Sequence, residues 1–258
     1  MTPYQKWVSF YTIVRKDFVR IMRIWPQTFL PSIITSALYF TVFGAFLGSR
    51  IGAIQGVPYI MFVVPGLVML SVVTNSYANV ATVMFQSKFF MRTIDEILVS
   101  PTPPWIIVAG FVTTGLVRGV SIGALVLIVA LFFTHLTIYN AFAIIAFLVL
   151  TSLVFSLGGF INGVYAKSID GINIIPTFVL TPLLYLGGVF YSSETLPGAW
   201  GLVTKLDPVF YIINGFRYGF LGISDVPVWM CAGVLVAAIA LFTGVSLHLI
   251  KTGLGLRQ

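Results

Sequence analysis

The segment Gly119-Val-Ser-Ile-Gly123 has the letters of a nucleophile elbow, the turn on which hydrolases present a reactive serine. That chemistry needs a sharp turn between a strand and a helix, and a histidine that acts as a base. Here the segment lies within a long apolar run that is expected to be helical throughout. His135 and His248 lie near the ends of such runs and not at the depth of the serine. The sequence therefore argues against a serine hydrolase.

The sequence also lacks the residues that metal binding and nucleotide binding require. Two histidines and one cysteine, Cys231, are too few for a convincing zinc site. A phosphate-binding loop would read G-x-x-x-x-G-K-[ST], whereas the Lys-Ser pair at 167–168 follows Tyr-Ala. We therefore predict no metal, no cofactor and no enzymatic activity on this chain.

The remaining candidates for functional residues are polar side chains inside apolar runs. They form two stripes at helical spacing. Such stripes either line a wet pathway or form hydrogen bonds between packed helices. A charge within an apolar run, Arg118, is expected to face the interior and to pair with carbonyl groups or with Asn75 and Asn79. The first stripe comprises Ser71, Asn75, Asn79 and Thr82, and the second comprises Asn173, Thr177, Thr181 and Tyr185.

These residues belong to six stretches that are long and apolar enough to cross a bilayer. The composition agrees, with 59% hydrophobic and 8% charged residues. Because backbone groups in lipid must be satisfied within their own segment, we predict an all-α polytopic membrane protein with six transmembrane helices. Two glycine pairs at spacing four, Gly44 with Gly48 and Gly159 with Gly163, could permit close helix packing. The predicted spans are 28–48, 57–83, 105–133, 139–165, 172–191 and 228–250.

Basic residues set the expected orientation, because they accumulate on cytoplasmic loops near the ends of spans. Most of the bases outside the spans fall on the side of the N-terminus, whereas Arg50, Lys205 and Arg217 fall on the other side. Both termini are therefore predicted to be cytoplasmic. The net charge of +7 then indicates contact with anionic lipids rather than nucleic-acid binding.

Residues 1–25 are periodic but too charged to span, and they predict a separate amphipathic helix at the cytoplasmic interface. The bases of this segment fall off its apolar stripe. Such a helix either rests on the membrane as an anchor or also touches a cytoplasmic partner. The stripe includes Trp7, Phe10, Tyr11, Val14 and Phe18.

The loop 84–104, MFQSKFFMRTIDEILVSPTPP, connects the second and third spans on the cytoplasmic side. It predicts a short helix over about residues 86–99, stopped by the proline cluster. A loop that only connects two spans does not need five large apolar residues, so the helix is expected to lie on lipid or to fit a groove of another protein, and the groove is favoured. The apolar face comprises Phe89, Phe90, Ile94, Ile97 and Leu98, and the polar face comprises Lys88, Arg92, Asp95 and Glu96.

On the far side, residues 192–226 are too polar for a span and too apolar for an ordinary loop. Asp207 followed by Pro208 predicts a helix start, and the apolar run 209–221 has the length of a re-entrant helix. A first short helix or turn is predicted within 196–206. The chain is thus one transmembrane domain, 1–258, divided into 1–25, 26–83, 84–104, 105–191, 192–226 and 227–258.

The order of these elements resembles the ABC-2 family of ABC exporter permeases, over essentially the whole chain. The sharpest local similarity is GGVFYSSETLPGAWGLVTKLDPVFYIINGFR at 187–217, together with LVSPTPP at the end of the cytoplasmic loop. Two positions depart from the family pattern: Ser192 stands where many members carry proline, and Asp207 stands where many carry asparagine.

The resemblance implies that the loop helix is a coupling helix seated on a cytoplasmic ATPase, with residues 1–25 as a connecting helix beside it. Two copies of the chain would form the pathway above two ATPase subunits, which would hold ATP and Mg, in the bacterial inner membrane. A charge in place of Phe89 or Ile94 should then detach the ATPase and leave insertion intact. The implied coupling residues are Phe89, Phe90, Arg92, Ile94, Asp95, Glu96 and Leu98.

The alternative class is an ATP-independent secondary transporter or channel. Ion-coupled carriers generally hold a carboxylate or histidine within the bundle, whereas the acidic residues of this chain flank the predicted spans. No convincing inverted repeat is seen. A channel accounts for polar stripes but not for the helical loop at 89–98.

Overall fold

The computed structural model describes residues 1–193 and 200–255. In these ranges the chain is almost entirely helical, apart from a small antiparallel hairpin of β1, Ala53–Ile54, and β2, Val57–Pro58. An N-terminal helix, α1, covers Pro3–Arg23 and begins with Thr2 as its cap. The short break at Ile24 separates α1 from the next helix, α2, Trp25–Phe40, as expected from the proline at position 26.

Five helical segments of the described ranges have the length and composition to cross a membrane. They correspond to the second to sixth predicted spans, with ends that differ by a few residues. The fifth segment consists of α8, Ile169–Ile175, a π-helical turn, Pro176–Leu180, and α9, Thr181–Leu186. The other four are α4, Tyr59–Phe89; α6, Pro104–Ala130; α7, Ala141–Tyr165; and α12, Val228–Thr252.

The region of the first predicted span, 28–48, is helical but interrupted. It contains α2, Trp25–Phe40, a π-helical segment, Thr41–Leu47, and α3, Gly48–Ile51, which follow one another directly. The change of hydrogen-bonding pattern at Thr41 limits α2 to 16 residues, fewer than the roughly 20 that a single α-helical span needs. Sequence periodicity does not reveal such π-helical insertions.

The longest of these helices, α4, forms the centre of the bundle. It packs most extensively against α7 and α6. Its side chains from Phe62 to Val73 are almost completely buried. The helix α12 packs against α7, and the helix α11, Pro208–Leu221, packs against α7, α12 and α4.

Close approach between α4 and α7 depends on glycine. A Cβ atom on Gly159 would collide with the backbone carbonyl oxygen of Tyr77, and a Cβ atom on Gly163 would lie 2.8 Å from the carbonyl oxygen of Ala81. The prediction of close packing at this pair is therefore confirmed. At Gly44 the neighbour is a flexible side chain, that of Ile60.

The far-side segment contains α10, Trp200–Leu206, and α11, Pro208–Leu221. The side chain of Asp207 accepts a hydrogen bond from the N–H of Val209 at 2.8 Å, and Pro208 is the first helical residue, so the predicted helix start is confirmed. Residues 196–199 of the predicted first short helix lie outside the described residues. The helix α11 ends at Gly222, whose φ of 70° is left-handed.

Replacing Gly159 with alanine should destabilise the protein by about 2 kcal/mol, because the added methyl group meets backbone atoms that cannot move aside. Gly158→Ala is the matched control, since its Cβ atom would make an ordinary contact of 3.5 Å with the ring of Tyr77. The control should be neutral or stabilising, because alanine favours the helix over glycine. Thermal unfolding in detergent measures both, and equal melting temperatures would contradict the packing argument.

Candidate functional site

The predicted loop, 84–104, contains the end of α4 and a separate short helix where the sequence predicted one helix. The helix α4 continues to Phe89, and α5 begins at Thr93 and ends at Val99. Between them Arg92 adopts a left-handed conformation with φ 49°. The prediction of a single helix over 86–99 is therefore wrong, and the reason lies in the next residues: the turn allows Ile94 to enter the bundle.

Ile94 is 0% exposed and lies in a buried cluster with Met84 and Ile107. A charge in place of Ile94 would be buried without a partner, so we expect that substitution to destabilise the fold. Phe89 is half-buried and its ring lies 4.7 Å from the ring of Phe85. Leu98 is also half-buried.

The outward side of the loop forms a mixed apolar and charged surface. Phe90 is 67% exposed and Val99 is 89% exposed. Between these two residues the charged side chains are also exposed. We call this the loop surface: Phe90, Met91, Arg92, Asp95, Glu96 and Val99.

The helix α1 lies beside the loop and is bonded to it. The ammonium group of Lys16 donates to the hydroxyl of Thr93 at 3.3 Å, and the hydroxyl of Thr102 donates to that of Ser9 at 3.5 Å. The body of α1 packs against α6. The loop surface and α1 therefore form one continuous face of the molecule.

The predicted apolar stripe of α1 divides between two environments. Trp7, Tyr11 and Phe18 are exposed, whereas Phe10 and Val14 are half-buried. The exposed aromatic side is what a helix lying in a membrane interface presents to lipid. The sequence did not reveal what the opposite side buries.

Asp17 is buried on that opposite side, at 4% exposure, and begins a polar network. Its carboxylate accepts from Arg20 Nε at 2.7 Å and from Asn79 Nδ2 at 3.3 Å. Arg20 also donates to Asn79 Oδ1 at 3.0 Å. On the other side, Arg118 donates to Asn79 Oδ1 at 3.2 Å and to Asn75 Oδ1 at 3.4 Å. One asparagine thus joins α1, α4 and α6.

The placement of Arg118 beside Asn75 and Asn79 is the one that the sequence suggested. The contributions of Asp17 and Arg20 were missed, because the N-terminal helix was interpreted only through its aromatic stripe. The spacing of three residues between an acid and a base on one helix was the available signal.

The two polar stripes do not come together. In the first, Ser71 lies 3.5 Å from Ser36 and Asn75 donates to Ser32 at 3.2 Å, so this stripe bonds α4 to α2 as well as to α6. The second stripe, Asn173, Thr177, Thr181 and Tyr185, is exposed along its whole length on the outside of the single chain.

A carboxylate on the far side holds three segments together. Asp225 accepts from the backbone N–H and the hydroxyl of Ser193, both at 2.8 Å. It also accepts from Ser192 at 3.0 Å and from Gln55 at 3.2 Å, while its own N–H donates to Asn214 at 3.1 Å. Burial raises the pKa of this carboxyl, but the hydrogen bonds outweigh burial and hold the pKa below its ordinary value.

The arginine that ends the far-side sequence motif is also buried. The guanidinium of Arg217 lies 3.7 Å from the ring centroid of Phe62 and donates to the carbonyl of Gly188 at 2.7 Å. Gly188 itself has a left-handed φ of 82°. The arginine therefore fixes the turn at the end of the fifth helical segment against the central helix.

Three features together define an integral membrane protein with a structured loop face. They are the bundle of apolar helices, the hydrogen-bonded contact between α1 and the loop helix, and the helix start on the far side. The sequence profile described as ABC-2 type transporter matches residues 8–221. The chain therefore belongs to the ABC-2 type transporter family.

Individual relatives cover nearly the whole chain. It is 50% identical over 252 residues to the inner membrane transport permease YadH of Escherichia coli (strain K12), covering 98% of both chains. It is 28% identical over 238 residues to nodulation protein J of Rhizobium meliloti (strain 1021), covering 90% of this chain and 88% of that protein.

Asp17→Asn should destabilise the protein by about 2 kcal/mol, because it leaves Arg20 and Arg118 beside each other without the balancing carboxylate. Asp170→Asn is the control, since Asp170 is exposed near the start of α8. Melting temperatures in detergent provide the measurement. A loss of stability shared equally by both variants would show that the network does not depend on the charge of Asp17.

The stability of the protein should depend on pH through the ionisation of Asp207. Burial raises its pKa from an ordinary value of 3.8 to about 6, although the bond from Val209 opposes this. The neutral form is thus favoured in the folded state, so stability should fall as pH rises from about 4 to about 6. Asparagine caps helices as well as aspartate does and carries no charge.

The melting temperature of Asp207→Asn relative to the original protein should therefore rise between pH 4 and pH 7.5. The contribution of Asp225, whose pKa is shifted in the opposite direction, is common to both proteins and cancels in the difference. A difference that stays constant across this pH range would show that Asp207 ionises normally.

Proposed function

We propose that this chain is the permease subunit of an ATP-driven exporter in the bacterial inner membrane. Three findings support this proposal: the family of the chain, the five helical segments within residues 1–193 and 200–255 that are long and apolar enough to cross a membrane, and the 50% identity to a protein named as an inner membrane transport permease. The chain carries no phosphate-binding loop in its sequence, so ATP hydrolysis belongs to a separate subunit.

The proposal includes a sixth transmembrane span formed by residues 25–51. The consecutive helical elements of this region extend about 40 Å at the usual rise per residue, which exceeds the roughly 30 Å hydrocarbon core. Leu30, Ile34 and Leu38 are exposed on one side of α2, as lipid contact requires. With six spans, both termini lie on one side, and the excess of bases favours the cytoplasm.

The observation that carries the ATPase assignment is the loop surface. Its exposed Phe90, Met91 and Val99 are surrounded by charged side chains, a pattern typical of protein contact sites. The short helix α5, which carries Val99, also inserts Ile94 into the bundle. A subunit that binds the outer side of α5 therefore acts directly on the core of the permease.

In the proposed mechanism, closure of two ATPase subunits moves α5, and α5 moves the adjoining ends of α4 and α6. Lys88 reinforces the connection, because its ammonium group is buried and donates to the carbonyl of Val164 at the end of α7 at 3.0 Å. The bonds from Lys16 and Thr102 carry α1 along with the loop.

The second polar stripe marks the proposed pathway. Asn173, Thr177, Thr181 and Tyr185 are exposed on a segment that is otherwise apolar, and polar groups facing lipid are unfavourable. A second copy of the chain would cover this side and enclose the stripe. Exposed aromatic residues beside it, such as Phe178, favour an amphipathic cargo over a sugar polymer.

Secondary transport is less well supported. Asp17 is a buried carboxylate at the edge of the bundle, but it is already paired with Arg20 at 2.7 Å and is bonded to Asn79. A coupling-ion site would need a carboxylate that is available to the ion.

The test is copurification of the permease with its ATPase in mild detergent, followed by assay of ATP hydrolysis. Phe90→Asp should reduce the retained ATPase by about tenfold or more, because it places a charge in a contact that excludes water. Phe132→Asp is the control, since Phe132 is 84% exposed but follows α6 at the opposite end of the bundle. It should retain the ATPase.

Both variants should insert into the membrane in normal amounts, because both side chains are exposed. An ATPase that copurifies equally with Phe90→Asp and with the unaltered chain would contradict the placement of the contact on the loop surface. Purification of a lone oligomer without any ATPase would favour a carrier or channel instead.

A further inference from the structure

A cavity of about 620 Å³ lies between α1 and the loop helix. Its volume falls in the range of small-molecule sites in proteins, roughly 300–1,000 Å³. One wall is apolar and includes Val19, Ile24 and Val83, and the opposite wall belongs to the loop and includes Thr93 and Glu96. Met91 and Glu96 of the loop surface also line this cavity, and the exporter assignment does not specify what fills it.

Three basic residues of α1 line the cavity: Lys16, Arg20 and Arg23. Lys16 and Arg23 are exposed at its rim. The ammonium group of Lys16 has three N–H groups and donates one of them to the hydroxyl of Thr93. Arg23 lies in the last turn of α1. Donors for an anion are therefore available on the α1 side of the opening.

The acidic residues of the cavity are placed differently. Asp17 is occupied by Arg20 and Asn79, so its charge is compensated. Glu96 is exposed and lines the cavity from the loop helix. A carboxylate there accepts hydrogen bonds from hydroxyl groups and disfavours a second negative charge.

The position of the cavity follows from α1. The exposed Trp7, Tyr11 and Phe18 place this helix at the level of the lipid headgroups. Basic pockets at this depth bind the phosphates of lipid headgroups.

We infer that this cavity binds one anionic phospholipid with a singly charged phosphodiester and a hydroxylated headgroup. Lys16 and Arg23 donate to the phosphate oxygens, the headgroup hydroxyls donate to Glu96, and an acyl chain follows the apolar wall. The bound lipid thereby joins α1 to the loop helix, next to the bond between Lys16 and Thr93. The inference requires α1 at the membrane surface and is independent of the ATPase.

The test is native mass spectrometry of the full-length permease, purified alone in neutral detergent and titrated with phosphatidylglycerol, phosphatidylethanolamine or soluble glycerol phosphate. Phosphatidylglycerol should bind at one saturable site. The double variant Lys16→Gln with Arg23→Gln should weaken that binding by about tenfold or more, as the loss of two charge-assisted hydrogen bonds requires.

The matched control is Lys6→Gln with Arg15→Gln, which removes the same charge from the same helix at positions outside the cavity. It should leave the affinity within about twofold, since nonspecific attraction in detergent is screened by salt. Thr12→Trp provides a second variant: Thr12 lines the cavity, and the larger side chain should block the lipid without changing the charge.

Equal loss in the control and in the Lys16 and Arg23 variant would overturn the site. Equal binding of phosphatidylethanolamine would overturn the anionic headgroup, and equal binding of glycerol phosphate would overturn the lipid as its source. Because the titration uses the permease alone, its failure would leave the proposed ATPase contact untouched.

Discussion

The guanidinium of Arg118 must find its partners among neighbouring helices, because the hydrocarbon surroundings supply no water. Asn79, which is 1% exposed, supplies the shared acceptor for this group and for Arg20. The carboxylate of Asp17 then limits the repulsion between the two cations. This requirement holds α1 against α4 and α6, and the position of α1 in turn defines the cavity and supports the loop.

The central helix α4 connects the two ends of the molecule. At one end it leads into the loop that buries Ile94, and at the other Phe62 lies under the guanidinium of Arg217. Between these points glycines of α7 bring the two backbones into contact. Such close packing resists gradual deformation, so the loop movement proposed above would be transmitted along α4 and not absorbed by loose side chains.

Sequence patterns predicted the features that depend on local composition. Five apolar segments, the capping of α11 by Asp207 and the close contact at Gly159 follow from length, residue type and spacing. The features that were missed depend on tertiary contacts. Neither the left-handed turn at Arg92 nor the burial of Asp17 can be derived from periodicity, because each is stabilised by residues distant in the chain. The π-helical turn at Thr41 is likewise invisible to a count of apolar residues.

The alternation of inward and outward residues along α5 has an evolutionary consequence. Ile94 is constrained by the bundle, while Asp95 and Glu96 directly after it are exposed. Substitutions on the outer side can therefore accumulate without disturbing the fold, and substitutions on the inner side cannot. If the loop surface is the ATPase contact proposed above, duplicated permeases of one architecture would come to recognise different ATPases by diverging at a few of its positions.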